Sequence, residues 1–380
     1  MKIQWKNPSS CANPAMLISG ICASSSGVVV SLLLERYSLT YQWSGFLLAA
    51  LSIGNLAAGF AAGTLPAHWG IRRTVLTFVC GTALGYGMMT LTGSPLALAA
   101  AFLLVGVGKG TTLNTCSTLV AQHAPDRTRG MNLMHACFAF GSMVCPLFIA
   151  ALSSGALPWW APMAWLCVCG AALWSLFAAS GLPGRTDSGA KSRNDWSFLR
   201  SAHFWVLTGL IFFQNSTESS VTGWLVTYFK DAGILSGAAG QMTVTAIWGA
   251  MLAARLCIAF VLPVRHHFRA LTCMSVCCIG TYLLLLFSKT PFAALVCLVL
   301  FGLAIAGVNP TAVAAGNALS SEGLGVMLPA AGLGAVLMPY ITGAVAQRLG
   351  LWAGMLCTLA ALAGMAACSA VLWRMTGRRA

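Results

Sequence analysis

Apolar residues run in long blocks along this chain, interrupted at intervals by Gly, Pro, Ser and basic residues. A block of about 20 residues, at 1.5 Å per residue, is long enough for a helix to cross a hydrocarbon core roughly 30 Å thick. Twelve such spans are predicted, over residues 12–34, 44–65, 73–93, 95–121, 131–153, 159–180, 204–229, 237–262, 270–288, 291–315, 323–346 and 350–373. Membrane helices tolerate the Gly and Pro scattered through them, and the strict alternation of a transmembrane barrel is absent. The pattern predicts an all-α, multi-pass membrane protein.

Composition strengthens that picture. Of 380 residues, 58% are hydrophobic and only 7% charged, with a mean hydropathy of +0.82, whereas a water-soluble domain is roughly 25% charged. Lys2 and Lys6 ahead of the first span resemble the start of a signal peptide, but no A-x-A cleavage site follows, so the first span is expected to be retained.

Charge then sets orientation. With both ends cytoplasmic, fifteen basic residues fall on the cytoplasmic side: Lys2, Lys6, Arg72, Arg73, Arg127, Arg129, Arg185, Lys191, Arg193, Arg200, Arg265, Arg269, Arg374, Arg378 and Arg379. The other side receives four, Arg36, Lys230, Lys289 and Arg348. The positive-inside rule selects this topology, and a bacterial cytoplasmic (inner) membrane is the expected location. The same distribution accounts for the net charge of +14, so nucleic acid is not an expected partner. The fifteen cysteines lie almost entirely within spans and form no CxxC pair; they read as small apolar side chains, with no metal and no cofactor expected.

The polar stretch from Gly181 to His203 divides six spans from six. This gives an N-terminal six-helix bundle over 1–180, a cytoplasmic linker over 181–203 and a C-terminal six-helix bundle over 204–380. The halves resemble each other. "FGSMVCP" in span 5 matches "LGAVLMP" in span 11, and "GNLAAGF" in span 2 matches "ARLCIAF" in span 8. Together these matches point to a duplicated transporter architecture.

The loop after span 2, "GTLPAHWGIRR", resembles the G-x3-D-[RK]-x-G-x-[RK]-[RK] signature of the major facilitator superfamily, with Gly63, Gly70, Arg72 and Arg73 retained as gating or structural residues. Ala67 stands where the signature has aspartate and His68 where it has a basic residue. Three further stretches are similar to the fucose/glucose permease-like branch: "LNTCSTLVAQHAPDRTRGMNLMHACFAFGSMVCP", "TESSVTGWLVTYF" and "LPAAGLGAVLMPYITGAVAQRLG". The resemblance implies the major facilitator fold, twelve transmembrane helices in two pseudo-symmetric six-helix bundles. It also implies that spans 1, 4, 7 and 10 line a cavity, and that the substrate is a sugar or related polar solute, often moved with protons.

Polarity falls where that cavity would need it. Span 1 carries Ser24, Ser25 and Ser26; span 4 carries Lys109, Thr111, Thr112 and Asn114; span 7 carries Gln214, Asn215 and Glu218; and span 10 carries Asn309 beside Pro310. Intramembrane ionisable groups usually face an interior or aqueous path. Glu218, the only carboxyl group deep in a predicted span, shares a helix face with Gln214, Asn215 and Thr222 and is the expected proton carrier. His135 in span 5 is the next candidate, since an imidazole titrates near neutral pH.

Lys109 is expected either to attract an anionic solute or to pair with Glu218. Lys109, Asn114, Gln214, Asn215, Thr222, Asn309, Ser25 and Trp224 form the expected substrate-binding set. Arg255 in span 8 is expected to gate or to hold helices. Branch members present acidic groups from the first and fourth helices, where this chain has serines and Lys109, so an anionic solute is as well supported as a neutral sugar.

The function expected is secondary active transport of a small polar, anionic or sugar-like solute by alternating access, proton-coupled and carried out by a monomer. Its partners are the solute, protons and membrane lipid. An exporter of a drug-like or secreted metabolite is one alternative, and a non-transporting membrane sensor or scaffold another. No nucleophile–base motif, dinucleotide loop or P-loop stands out, so no enzyme activity is expected.

Overall fold

The computed structural model of the protein describes residues 11–123, 127–153, 155, 157–182, 196–261, 266–319 and 324–377. Lys2, Lys6, Arg185, Lys191, Arg193, Arg265, Arg378 and Arg379, used above for orientation, lie outside these residues, as does most of the 181–203 linker. In hydrocarbon no water takes up an unpaired N–H or C=O, so each crossing segment closes its hydrogen bonds within itself as a helix.

Fourteen α-helices follow one another among the described residues: α1 (Ala12–Tyr37), α2 (Tyr41–Trp69), α3 (Ile71–Leu91), α4 (Pro95–His123), α5 (Arg127–Leu152), α6 (Ala161–Ala179), α7 (Ala202–Asp231), α8 (Gly237–Phe260), α9 (His267–Phe287), α10 (Pro291–Ile305), α11 (Val308–Leu319), α12 (Leu324–Leu349), α13 (Leu351–Leu356) and α14 (Thr358–Gly377). The pair α10 and α11 makes one span, Pro291–Gly316, and α13 with α14 another, Leu351–Thr376. The fourteen helices thus make the twelve crossings that the apolar blocks predict.

Eleven of these are long and apolar enough to cross a membrane by length and composition. The exception is α7, which has the length, at 30 residues, but a polar middle. Around the helices Leu84, Val168, Val276, Leu284 and Phe292 stand exposed, the surface that lipid chains cover in a multi-pass membrane protein.

The chain divides into two compact units, Met1–Leu39 with Phe46–Ala190, and Thr40–Gly45 with Lys191–Ala380. In the first unit α1 packs most extensively on α5, and α3 on α4 and α6. Small residues allow this. A methyl group added at Gly20 would run into the Phe138 carbonyl, and one at Gly141 into the Leu17 carbonyl and the Ile21 N–H. Gly54 and Gly106 bring α2 and α4 together in the same way, against Leu103 and Leu51. Close backbone approach through small residues is how membrane helices gain packing energy when lipid is as apolar as their side chains.

The second unit repeats the device. There α7 packs most extensively on α12, and a methyl group at Gly334 would meet the Phe212 carbonyl and the Ser216 hydroxyl. Gly141 and Gly334 are the glycines of the two matched G-x4-P stretches, so the internal repeat seen in the sequence is a repeat of one helix contact. Tyr86 in α3 and Tyr282 in α9 also play parallel parts, each buried and donating its hydroxyl to a backbone carbonyl, Cys22 at 2.7 Å and Met355 at 2.9 Å.

The first turn of α2 belongs to the second unit. Tyr41 N donates to Gln347 Oε1 at 3.0 Å and its hydroxyl to Asp231 Oδ1 at 2.6 Å, while Gly45 sits on the Pro339 carbonyl.

Gly334→Ala is expected to destabilise the protein by about 1–3 kcal/mol, because the added methyl meets backbone that cannot rotate away. Gly280→Ala, with nothing within 4 Å of the added atom, is the control. Thermal unfolding in detergent should show a lower midpoint for the first variant and an unchanged one for the second; equal midpoints would remove the close contact from the account of stability.

Candidate functional site

Hydroxyl groups in these helices mostly satisfy themselves. Thr208, Thr217 and Thr222 on α7, and Thr111 and Thr112 on α4, each donate to the carbonyl four residues back, at 2.7–2.9 Å. Such back-bonding needs no neighbour. Carboxamides and carboxylates do not bond the turn behind them so readily, and find their partners on side chains a turn away or on other helices.

On α7 they do so in one cluster. Gln214 is fully buried, and its Nε2 donates to Glu218 Oε2 one turn on, at 2.6 Å. Asn309, at the start of α11, donates through Nδ2 to Gln214 Oε1 at 2.8 Å and to Asn215 Oδ1 at 3.3 Å. Asn215 in turn donates to the Ala331 carbonyl of α12 at 3.2 Å. Three helices are thereby joined through four side chains.

Both N–H groups of the Asn309 amide are engaged. Among the described residues neither Asn309 Oδ1 nor Glu218 Oε1 receives a hydrogen bond. Gln214 is enclosed while Asn215, Glu218 and Asn309 are half-exposed, so the open positions on the accessible residues are two acceptors, Asn309 Oδ1 and Glu218 Oε1, and one donor, the second N–H of Asn215.

The helix that presents Asn309 is interrupted. α10 ends with Ala306 N–H on the Gly302 carbonyl at 3.2 Å, and the ladder resumes with Thr311 N–H on Gly307, also at 3.2 Å. Pro310 explains part of the gap, since it has no N–H to offer the carbonyl four residues back, Ala306. Broken helices in membrane transporters are tolerated where irregular backbone is enclosed by protein or lines a cavity.

The other expected site residues fall elsewhere. Ser25 is fully buried inside the first unit, with its hydroxyl 2.7 Å from Tyr86 OH and donating to Cys22 O at 2.9 Å, so it serves helix packing. Trp224 is also fully buried; its Nε1 donates to Pro339 O at 3.0 Å and its ring meets Tyr41 edge-on. It wedges α7 against α12 and offers no polar atom to a solute. Thr222 belongs to α7 but bonds the Glu218 carbonyl.

Lys109 is half-buried on α4, and Asn114 faces α2 beside Gly59. His135 is exposed on α5. Gly63 lies within α2, Gly70 adopts a positive φ of 81° before α3, and Arg72 donates to the Ala178 carbonyl at 2.9 Å while Arg73 is exposed. Arg255 on α8 donates through Nε to the Ala306 carbonyl at 3.3 Å. Sequence reasoning singled out Gln214, Asn215, Glu218 and Asn309 but missed the Ala331 carbonyl and Tyr86. Polar side-chain counts cannot reveal a backbone acceptor, and Tyr86 in its "GYG" setting looks like any apolar position.

A family model for the Major Facilitator Superfamily matches residues 13–328, most of the chain. The chain belongs to the major facilitator superfamily. Among solved structures of this fold, a point mutant of the nucleoside transporter NupG superposes with a TM-score of 0.79 at 13% identity, covering 97% of this chain and 100% of that one. A bacterial homologue of the human lysosomal transporter Spinster, inward-facing and occupied, gives 0.76 at 13% identity over 96% of both chains. A D-xylose–proton symporter gives 0.74 at 14%, again over 96% of both. No curated protein sequence matches significantly. At these identities the structural likeness establishes the fold. The protein is therefore a multi-pass membrane transporter of this superfamily.

In this transporter Asn309→Ala is expected to leave the Gln214 and Asn215 oxygens without their shared donor, at a cost of about 1–3 kcal/mol. Thr111→Val, which deletes only a back-bonded hydroxyl, should cost less than about 1 kcal/mol. Unfolding midpoints of the two purified variants would test this, and an Asn309→Ala midpoint equal to that of Thr111→Val would show the cluster contributes nothing to stability.

Proposed function

We propose that the protein is a proton-coupled secondary transporter that moves a small polar solute by alternating access. Glu218 is the proton-loading group, and Gln214, Asn215 and Asn309 form the group that reads the solute. The observation that carries this reading is the chain of hydrogen bonds from Glu218 through Gln214 to Asn309 on the interrupted helix. Among the described residues, it links the one deeply placed carboxylate to the one crossing whose backbone is open beside a carboxamide. A proton arriving at Glu218 changes what Gln214 can donate to it, and a solute at Asn309 is felt by the same amide.

Open acceptors on Glu218 and Asn309 beside an open N–H of Asn215 suit a solute whose groups both donate and accept, such as the hydroxyls of a sugar or nucleoside. Two of the similar solved structures carry names of that kind, a nucleoside transporter and a D-xylose–proton symporter, and the stretches resembling the fucose/glucose permease-like branch agree with them. Lys109, half-buried on α4, favours a carboxylate on the solute instead and makes anionic solutes the second reading. The basic residues of the short connections support cytoplasmic termini.

The test begins with purified protein and a thermal-shift panel of nucleosides, pentoses, hexoses and small carboxylates, since a ligand that binds only the folded state raises the unfolding midpoint. With the ligand so found, Glu218→Gln in vesicles is expected to keep the thermal shift but lose accumulation driven by a pH gradient, because a group that cannot titrate supplies no differential proton affinity between states. Accumulation at the wild-type rate with proton influx intact would reject Glu218 as the coupling site and turn attention to His135. Hits confined to carboxylates, and abolished by Lys109→Gln, would place solute recognition on α4 rather than on the amide cluster.

Orientation has its own check. A single cysteine replacing Ser236, in a cysteine-free background, should react with impermeant thiol reagent in intact cells; labelling only after lysis would reverse the proposed topology.

A further inference from the structure

We infer that Arg255 is a positioning residue, the side chain that replaces the hydrogen-bond donor Pro310 removes and so holds the interrupted helix in the register that brings Asn309 to Gln214 and Asn215. Proline lacks an N–H, and the carbonyl left without its helical partner is that of Ala306. Arg255 Nε donates to that same carbonyl from α8 at 3.3 Å.

A second contact places α8 at the same level. A methyl group at the neighbouring Gly307 would lie 2.6 Å from Ile258 Cδ1, one turn beyond Arg255 on α8, and 2.8 Å from Met274 Cε of α9. The gap is thus met by an apolar buttress at Gly307 and a cationic donor at Ala306. Three residues past Ala306 the backbone presents Asn309, both of whose N–H groups are engaged in the amide cluster. An arginine suits this place because its guanidinium stays charged and delivers directed N–H groups at the end of an apolar stem.

This inference rests on the reading of the cluster as the working site only for its functional meaning. The contact itself is tested without any solute, so failure of the transport reading and failure of this one are distinguishable.

The experiment is hydrogen–deuterium exchange of the full-length protein in detergent, followed by mass spectrometry of peptides covering residues 303–316. Four forms are compared: wild type, Arg255→Met, Pro310→Ala and the double variant. Methionine keeps an unbranched stem and deletes the donor, while alanine at 310 restores an N–H that can bond Ala306 directly. Arg255→Met is expected to speed exchange of the amides at Gly307 to Thr311 by about tenfold, as local opening does. The double variant is expected to return within about twofold of Pro310→Ala alone, because the restored N–H makes the arginine unnecessary.

Unchanged exchange in Arg255→Met overturns the inference, and so does a double variant that exchanges as fast as Arg255→Met. Should Arg255→Met fail to yield folded protein, recovery of folded protein in the double variant supports the inference and its loss in both overturns it. Only a role exercised through the Ala306 carbonyl is rescued at position 310; a membrane anchor or a general packing role is not.

Discussion

A polar group in hydrocarbon either finds its partner inside the protein or stays unpaired at a cost of about 2–7 kcal/mol. That constraint shapes this molecule more than any single contact. It makes every crossing a helix, and it divides polar side chains into two kinds. Serines and threonines bond the turn behind them and can sit on nearly any face, as Thr111, Thr112 and Thr217 do. Carboxamides carry donors and an acceptor at the end of a longer stem, and they mark where helices must meet. Gln214, Asn215 and Asn309 meet across α7, α11 and α12 for that reason.

The two units show how such a cluster enters an inherited framework. In the first, Gly20 of α1 presses against the Phe138 carbonyl of α5. At the matching place in the second, Asn215 of α7 donates to the Ala331 carbonyl of α12. Beside it, Gly141 meets Ile21 in one unit as Gly334 meets Ser216 in the other. The helix pairing is the same, but a packing contact in one copy has become a hydrogen bond in the other. At the matching level of α1, Ser24, Ser25 and Ser26 turn instead to Tyr86 and to their own backbone.

The crossings were legible in the sequence because bilayer thickness sets their length; the predicted edges lie within a few residues of the observed ones. The interruption at Ala306 and Gly307 was less so, although the Asn309–Pro310 pair carried its signature. Helix periodicity joined Gln214, Asn215 and Glu218 on one face, and resemblance brought Asn309 to them. Ser25 and Trp224 lie away from the amide cluster for a common reason. Membership of a cavity-lining helix does not say which way a side chain turns, and both of these face a neighbouring helix. The sequence predicts a gating or structural part for Arg255; its partner, a main-chain carbonyl, is visible in the sequence only when the missing proline N–H is traced four residues back.

The polar middle of α7 also bears on how the protein is made. As a nascent chain enters the bilayer, each segment partitions by its own apolar content, and most crossings here carry enough. α7 does not, since Gln214, Asn215 and Glu218 occupy its centre. The groups that pair with its amides, Asn309 and the Ala331 carbonyl, are synthesised roughly a hundred residues later, and until then these amides lack the partners they have in the folded protein. Secure residence of α7 in the membrane is therefore expected to depend on helices made after it, α11, α12 and α14. The most polar crossing thus settles only as helices made after it arrive.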